Sequence, residues 1–165
     1  MRTFKENIFN QLSLYPGTRY MGSKEKLLPA LLDTFNELEF DSGLDLMSGT
    51  GVVSYMLKSM GKEVISNDYM HMNHVIAKAL IKNNSVKISG MDANKLIQHN
   101  NSSRFVSDTF NGLYYDKDDS EMIDNIRNNI NDLANSTHKN IALTALIRSC
   151  IKKRPRGIFA YTGLR

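Results

Sequence analysis

The sequence predicts an α/β chain organised around a strand-turn-helix joint, and three observations support that prediction. An apolar run, Gly43-Leu44-Asp45-Leu46-Met47, stops at the small turn Ser48-Gly49-Thr50-Gly51, and a helical pattern begins at Val52. A second apolar run, Glu63-Val64-Ile65-Ser66-Asn67-Asp68, follows that helix at once, so the unit reads as β-α-β with a right-handed crossover. Helical spacings of apolar residues then account for much of the remaining chain.

Residues 1–18 read as a polar, irregular N-terminal arm ending in the turn Tyr15-Pro16-Gly17-Thr18. From Ser23 to about Leu38, apolar residues at 27, 28, 31, 32, 35 and 38 trace one helix face, and Pro29 requires the regular helix to begin near it. Val52 to Met60 forms the helix after the turn, closed by Gly61. Met70 to about Lys82 is a third helix, with Val75, Ile76, Ala79 and Leu80 on one side and Asn83-Asn84 at its end. A short strand is expected at Val86 to Ser89, followed by a polar stretch rich in Asn and Ser, and Asn111-Gly112 marks a tight turn. Acids and a capping residue at Asp116 to Ser120 precede a helix striped by Met122, Ile123, Ile126, Ile130 and Leu133. The last helix, Lys139 to Ile151, is apolar over most of its circumference and is expected to be buried.

A chain of 165 residues, 41% hydrophobic and 23% charged, suits one folded domain and excludes disordered and fibrous classes. No apolar run approaches the roughly 18 residues that span a bilayer, and the N-terminus lacks a signal peptide's apolar core. The expected location is the cytoplasm, with no membrane partner. The single cysteine, Cys150, lies in an apolar helical pattern and reads as core packing. His71 and His74 stand three apart on a helix, but no Cys or carboxylate in register supports them, so no metal site is expected. A net charge of +4 permits a polyanionic partner without requiring one.

The chemistry is expected at the glycine turn. Gly49 and Gly51 allow the backbone to pass close to a ligand, and the first amides of the following helix point into the same space. Asp45 beside that turn would repel a phosphate but attract a ligand with a cationic amino group. S-adenosylmethionine has such a group and NAD does not. Asp68, seventeen residues past Gly51 at the tip of the second run, is spaced to accept hydrogen bonds from both ribose hydroxyls, and can also cap the next helix. Tyr20 to Lys24 stand at the entrance of the first predicted helix. There a ligand carboxylate could meet the helix N-terminus and the Lys24 ammonium, unless Lys24 is simply solvated.

These residues resemble a known family. Asp-Leu-Met-Ser-Gly-Thr-Gly at 45–51 is similar to motif I of the Dam-like (D12 class) DNA adenine-N6 methyltransferases, departing at Met47 where the family usually has Phe. Ser-Asn-Asp at 66–68 resembles their motif II, and Arg19-Tyr20-Met21-Gly22-Ser23-Lys24 their N-terminal motif X. The resemblance covers the chain from about Thr18 onward. It implies a partial Rossmann-like S-adenosylmethionine-dependent methyltransferase fold, a mostly parallel sheet with flanking helices. It also implies a cofactor site of Tyr20, Gly22, Ser23, Lys24, Asp45, Met47, Ser48, Gly49, Thr50, Gly51, Asp68 and Tyr69, and methylation of adenine N6 in double-stranded DNA. The implied organisation is an arm (1–18), an S-adenosylmethionine-binding part (19–100), and a helical segment that begins the DNA-recognition region (101–165).

Near its end the chain carries four cations in five residues, Lys152, Lys153, Arg154 and Arg156, adjoining Phe159 and Tyr161. Such a cluster suits phosphates and unpaired bases, and a solvated basic loop looks the same. A similar segment in the family favours DNA contact. The family's catalytic motif, Asp-Pro-Pro-Tyr, is absent: Pro16, Pro29 and Pro155 are the only prolines and none is adjacent to another. The expectation is therefore a truncated or split methyltransferase, inactive alone, whose complementary chain would carry that motif. The alternatives are a non-catalytic DNA- or partner-binding subunit of a split enzyme, and a dinucleotide-dependent oxidoreductase fragment, for which Gly49-x-Gly51-x-x-Ser54 is one glycine short.

Overall fold

Apolar residues spaced i, i+4 near the N-terminus, Phe4, Ile8 and Leu12, make that segment helical, not the irregular arm expected above. Helix α1 spans Arg2–Ser13, with Ile8 only 2% exposed. The computed structural model describes residues 2–18 and 20–153, with side chains from Phe4 onward. The chain divides into two compact units, Met1–Asn84 and Ser85–Arg165.

In the first unit a 3-10 turn, Glu25–Leu27, leads into α2 (Leu28–Asn36), with Pro29 in its first turn where a missing N–H costs nothing. Leu28 and Leu32 are buried, whereas Leu27 and Leu38, placed on the same face by spacing, are more than half exposed. Strand β1 (Ser42–Asp45), α3 (Val52–Ser59) and β2 (Glu63–Ser66) follow. The strands pair in parallel with Leu44 opposite Ile65 and Asp45 opposite Ser66. Helix α4 (His71–Ala77) runs on into a π turn, Lys78–Lys82.

The sheet shows its period of two plainly. Gly43 faces α3 so closely that a Cβ there would stand 2.9 Å from Leu57. On the opposite face Leu44 and Ile65 are 58% and 61% exposed. The core lies among the helices, where Ile8, Tyr15, Leu28, Leu32, Val52 and Met56 form one cluster. Lys58 is spent on structure: its ammonium donates to the carbonyls of Leu80, Ile81 and Asn83, closing the end of the π turn. Burial lowers its pKa from the ordinary lysine value.

The second unit is helical: α5 (Gly90–Leu96), α6 (Phe105–Phe110), α7 (Lys117–Asp132) and α8 (Ser136–Lys153). The strand expected at Val86 to Ser89 does not form; Ser89 instead caps α5, its hydroxyl accepting from the Asp92 amide. Leu96, Ile130 and Ala142 make a small core. Polar side chains of α7 supply much of the remaining cohesion. Asn129 donates to the Leu96 and Gln98 carbonyls, and Asn128 to those of Asn100 and Ser103. Asp124 accepts from the Val106 and Ser107 amides. This is why the polar stretch of 97–104 is held in place without strand or stripe. The expected α7 stripe is partial, since Met122 is 58% exposed, and α8 is half-buried over most of its length rather than fully buried. No helix among the described residues is long and apolar enough to cross a membrane.

Candidate functional site

Strand β1 delivers Asp45 to the mouth of the turn, and the tip of β2 straps that turn down. The Asn67 amide nitrogen donates to the Asp45 carbonyl, Asn67 Nδ2 to the Leu46 carbonyl at 2.8 Å, and Ser48 N–H to the Asn67 carbonyl at 2.9 Å. Gly49 and Gly51 both have positive φ (54° and 83°), so the turn needs residues that tolerate the left-handed region before α3 can start. From the other side Tyr15 Oη donates to the Thr50 carbonyl, tying the turn to the segment after α1.

Around this turn lies a cleft of about 480 Å³. Eleven of the residues expected from sequence line it: Tyr20, Gly22, Ser23, Lys24, Asp45, Met47, Ser48, Gly49, Thr50, Asp68 and Tyr69. Gly51 does not; it is the residue from which α3 springs. Val52, Val53 and Met70 complete the wall. Met47 and Tyr69 are 85% and 98% exposed, so an apolar and an aromatic side chain stand at the rim with nothing packed on them. Lys24 Nζ donates to the Gly22 carbonyl at 3.0 Å, within its own loop.

Two carboxylates anchor the cleft in different ways. Asp45 Oδ2 accepts from Ser54 Oγ at 2.7 Å, and the Ser54 and Ser66 hydroxyl oxygens stand 3.0 Å apart. A hydroxyl has one proton; Ser54 gives its proton to the carboxylate, so Ser66 donates to Ser54. Ser54 is fully buried and orients Asp45, leaving the rest of that carboxylate's acceptor capacity for a ligand. Asp68 is more heavily committed. Its Oδ2 accepts from Gly49 N–H at 2.8 Å, and its Oδ1 from Met70 N–H and Asn73 Nδ2, both at 2.9 Å. The helix-capping role foreseen for Asp68 is not what it serves: Met70 is the N-cap of α4, without a side-chain cap bond, and Asp68 accepts from the Met70 amide just ahead of the helix.

Desolvation pushes the Asp68 pKa up, but the bonds from Met70, Asn73 and Gly49 outweigh it and hold the carboxyl below its ordinary value. A depressed folded-state pKa contributes stability that is present above the unfolded value, near 4, and is lost as pH falls through the folded value. The stability gap between the wild-type chain and Asp68→Asn is therefore expected to shrink as urea midpoints are taken from about pH 6 down to pH 3. A gap that widened on acidification would contradict the network.

One polar group in the turn is left over. Ser48 Oγ is buried, lines the cleft, and has no hydrogen-bond partner among the described residues. An orphaned hydroxyl at a cleft wall is what a ligand's polar atom would satisfy.

Sequence reasoning missed Ser54 and Asn73. Both sit on helices, Ser54 nine residues past Asp45 and Asn73 five past Asp68, and no motif spacing marks either contact. Of the four cations placed on DNA, Lys152 is exposed and Lys153 is ion-paired with Asp119. Arg154 and Arg156 lie outside the described residues. Cys150 is half-buried, and burial pushes its thiol pKa up. Among the described residues no group of three or more His, Cys, Asp or Glu is arranged to hold a metal ion.

Comparison with known proteins agrees with these motifs. The profile of the D12 class N6 adenine-specific DNA methyltransferases matches residues 20–154. The chain is 28% identical over 145 residues to the Type II methyltransferase M2.HphI of Haemophilus parahaemolyticus, covering 88% of this chain and 43% of that protein. It is 37% identical over 71 residues to the Type II methyltransferase M.FokI of Planomicrobium okeanokoites, and 41% identical over 70 residues to the modification methylase StsI of Streptococcus sanguinis. Each of those alignments covers 41% of this chain and 11% of the relative. The chain thus spans less than half the length of the curated relatives it matches, whose names are those of restriction-modification. No solved structure matches it. With the glycine turn, its two acids and the Tyr20 to Lys24 segment gathered at one cleft inside the matched range, the chain belongs to the D12 class N6 adenine-specific DNA methyltransferase family.

Proposed function

We propose that this chain binds S-adenosylmethionine in the cleft at the glycine turn and is the cofactor-binding portion of a site-specific DNA methyltransferase acting on adenine N6. The observation that carries the reading is the convergence of Asp45, the orphaned Ser48 hydroxyl and Asp68 on one cleft. Its volume is within the range of small-molecule sites. Asp45, aligned by Ser54, takes the ligand's ammonium. Ser48 Oγ donates to or accepts from its methionine portion, and Lys24, on leaving the Gly22 carbonyl, meets its carboxylate. Met47 and Tyr69 offer apolar faces to the adenine ring.

Asp68 is the ribose acceptor in this reading, with a restriction the geometry adds. A carboxylate offers about four lone-pair sites, and Asp68 already receives three donors. It has room for one ribose hydroxyl; accepting both requires the Gly49 bond to yield.

The cofactor, when bound, would supply the methyl group. The residues described here bind and orient it, and the group that receives the target adenine belongs to a complementary segment or chain carrying Asp-Pro-Pro-Tyr. Two observations favour such a partner: this sequence lacks the motif, and one face of a sheet that the reading makes part of a larger Rossmann-like sheet is bare at Leu44 and Ile65. Double-stranded DNA is the substrate, with Lys152, Lys153, Arg154 and Arg156 as phosphate contacts, Lys153 exchanging Asp119 for phosphate. The setting is the cytoplasm, where DNA and cofactor meet.

Calorimetric titration of the purified chain with S-adenosylmethionine and, separately, with NAD tests the reading. Saturable binding of the first alone is expected. A preference for NAD would return the oxidoreductase alternative.

A further inference from the structure

We propose that Asn73 is a positioning residue of the cleft, which turns the Tyr20 hydroxyl into a donor for the bound ligand while holding Asp68 in place. The inference rests on reading the cleft as the S-adenosylmethionine site, and it concerns a residue that none of the motifs contains.

Asn73 lies on α4 and is 1% exposed. Its Nδ2 stands 2.9 Å from Asp68 Oδ1 and 3.1 Å from Tyr20 Oη, so one side chain bridges the segment before α2 to the tip of β2. The orientation of its amide follows from chemistry. An ionised carboxylate only accepts, so the atom facing Asp68 is the NH₂ group, and that same nitrogen gives its second proton to Tyr20. Tyr20 Oη is therefore an acceptor toward Asn73, and its own single proton is left for something else. Among the described residues the group within reach is Met70 Sδ at 3.7 Å, a thioether and a poor acceptor. Tyr20 lines the cleft, and its ring lies where a Cβ on Gly49 would come within 3.4 Å of it. A ligand oxygen or nitrogen in the cleft is a better acceptor than the sulfur and would draw the hydroxyl away from it.

A second observation separates this role from packing. Asn73 Oδ1 is buried and has no hydrogen-bond partner among the described residues. A side chain that served only to fill this space would not strand an oxygen there, and an apolar residue of similar volume would avoid the penalty. What only the amide supplies is a pair of donors at one nitrogen, directed at the two groups that border the ligand space.

The test is a calorimetric double-mutant cycle with S-adenosylmethionine on the full chain, using Tyr20→Phe, Asn73→Ala and the double variant. Circular dichroism and thermal melting of each serve as controls. Asn73→Ala is expected to bind about tenfold more weakly, Tyr20→Phe to weaken binding severalfold, and the double variant to lose less than the product of the two, because both act on one hydroxyl. Asn73→Leu, which removes the stranded oxygen, is expected to melt within a few degrees of the wild-type chain and still bind weakly; a merely structural asparagine would not separate these readouts. If wild-type and Asn73→Ala bind equally, or the two losses multiply in full, the inference is wrong while the cofactor reading stands. If the wild-type chain does not bind S-adenosylmethionine, the cofactor reading fails and the inference with it.

Discussion

Asp45→Ala is expected to weaken S-adenosylmethionine binding about 100-fold while leaving the fold in place. The carboxylate is half-buried at the end of β1, where it faces a cleft walled partly by Val52 and Val53 rather than open water. A charge-assisted hydrogen bond in such a setting is worth about 1.5–3 kcal/mol, which corresponds to roughly 10- to 150-fold in affinity. Alignment by the Ser54 hydroxyl places the effect toward the upper end, because the carboxylate need not be ordered on binding. The fold should survive, since Ser54 keeps Ser66 as a partner and β1 keeps its pairing with β2. A calorimetric titration of folded Asp45→Ala that matched the wild-type curve would remove the ammonium contact from the account.

Ile8→Ala is expected to destabilise the first unit by about 3 kcal/mol, read as a lowered urea midpoint with an unchanged slope. Ile8 is 2% exposed and packs in the cluster of Tyr15, Leu28, Leu32, Val52 and Met56. Truncation removes buried apolar surface and leaves a cavity between helices that cannot close over it without moving α1 off α3. The consequence reaches the site, because Tyr15 shares that cluster and its hydroxyl holds the Thr50 carbonyl of the glycine turn. A change within about 0.5 kcal/mol would mean that α1 is peripheral after all.

How far the sequence foretold this arrangement depends on the kind of signal each part carried. The turn from Asp45 to Gly51, Asp68 and the Tyr20 to Lys24 segment were legible because they combine residue types with spacings that few other roles need, and most of these residues, though not Gly51, line one cleft. The helices α2, α3, α4 and α7 were legible from period and punctuation: Pro29 near a start, Gly61 and Asn83 at ends, and acids with a cap at Asp116 to Ser120, although α7 begins earlier than expected, at Lys117, with Asp116 as the cap accepting from the Asp119 amide. Helix α1 was hidden because its apolar residues are few and two, Phe4 and Phe9, remain exposed, so the segment reads as polar until a partner for Ile8 is known. The strand expected at Val86 to Ser89 failed for the opposite reason, a local β propensity with Ser89 used instead as a helix cap. Short helices α5 and α6 carried no stripe at all, because polar bonds from Asn129 and Asp124 hold them. Ser54 and Asn73 were out of reach of motif reasoning, since their roles depend on which carboxylate stands beside them in three dimensions.

The most direct test of the central claim, that S-adenosylmethionine occupies the cleft at the glycine turn, is a titration of the isotope-labelled chain followed by backbone amide NMR. The account predicts saturable shifts concentrated at Gly22 to Lys24, Asp45 to Gly51 and Asp68 to Met70, with the Gly49 amide among the largest because its bond to Asp68 is the one that competes with ribose. Saturable shifts confined to other residues, or none at millimolar ligand with a folded chain, would contradict it.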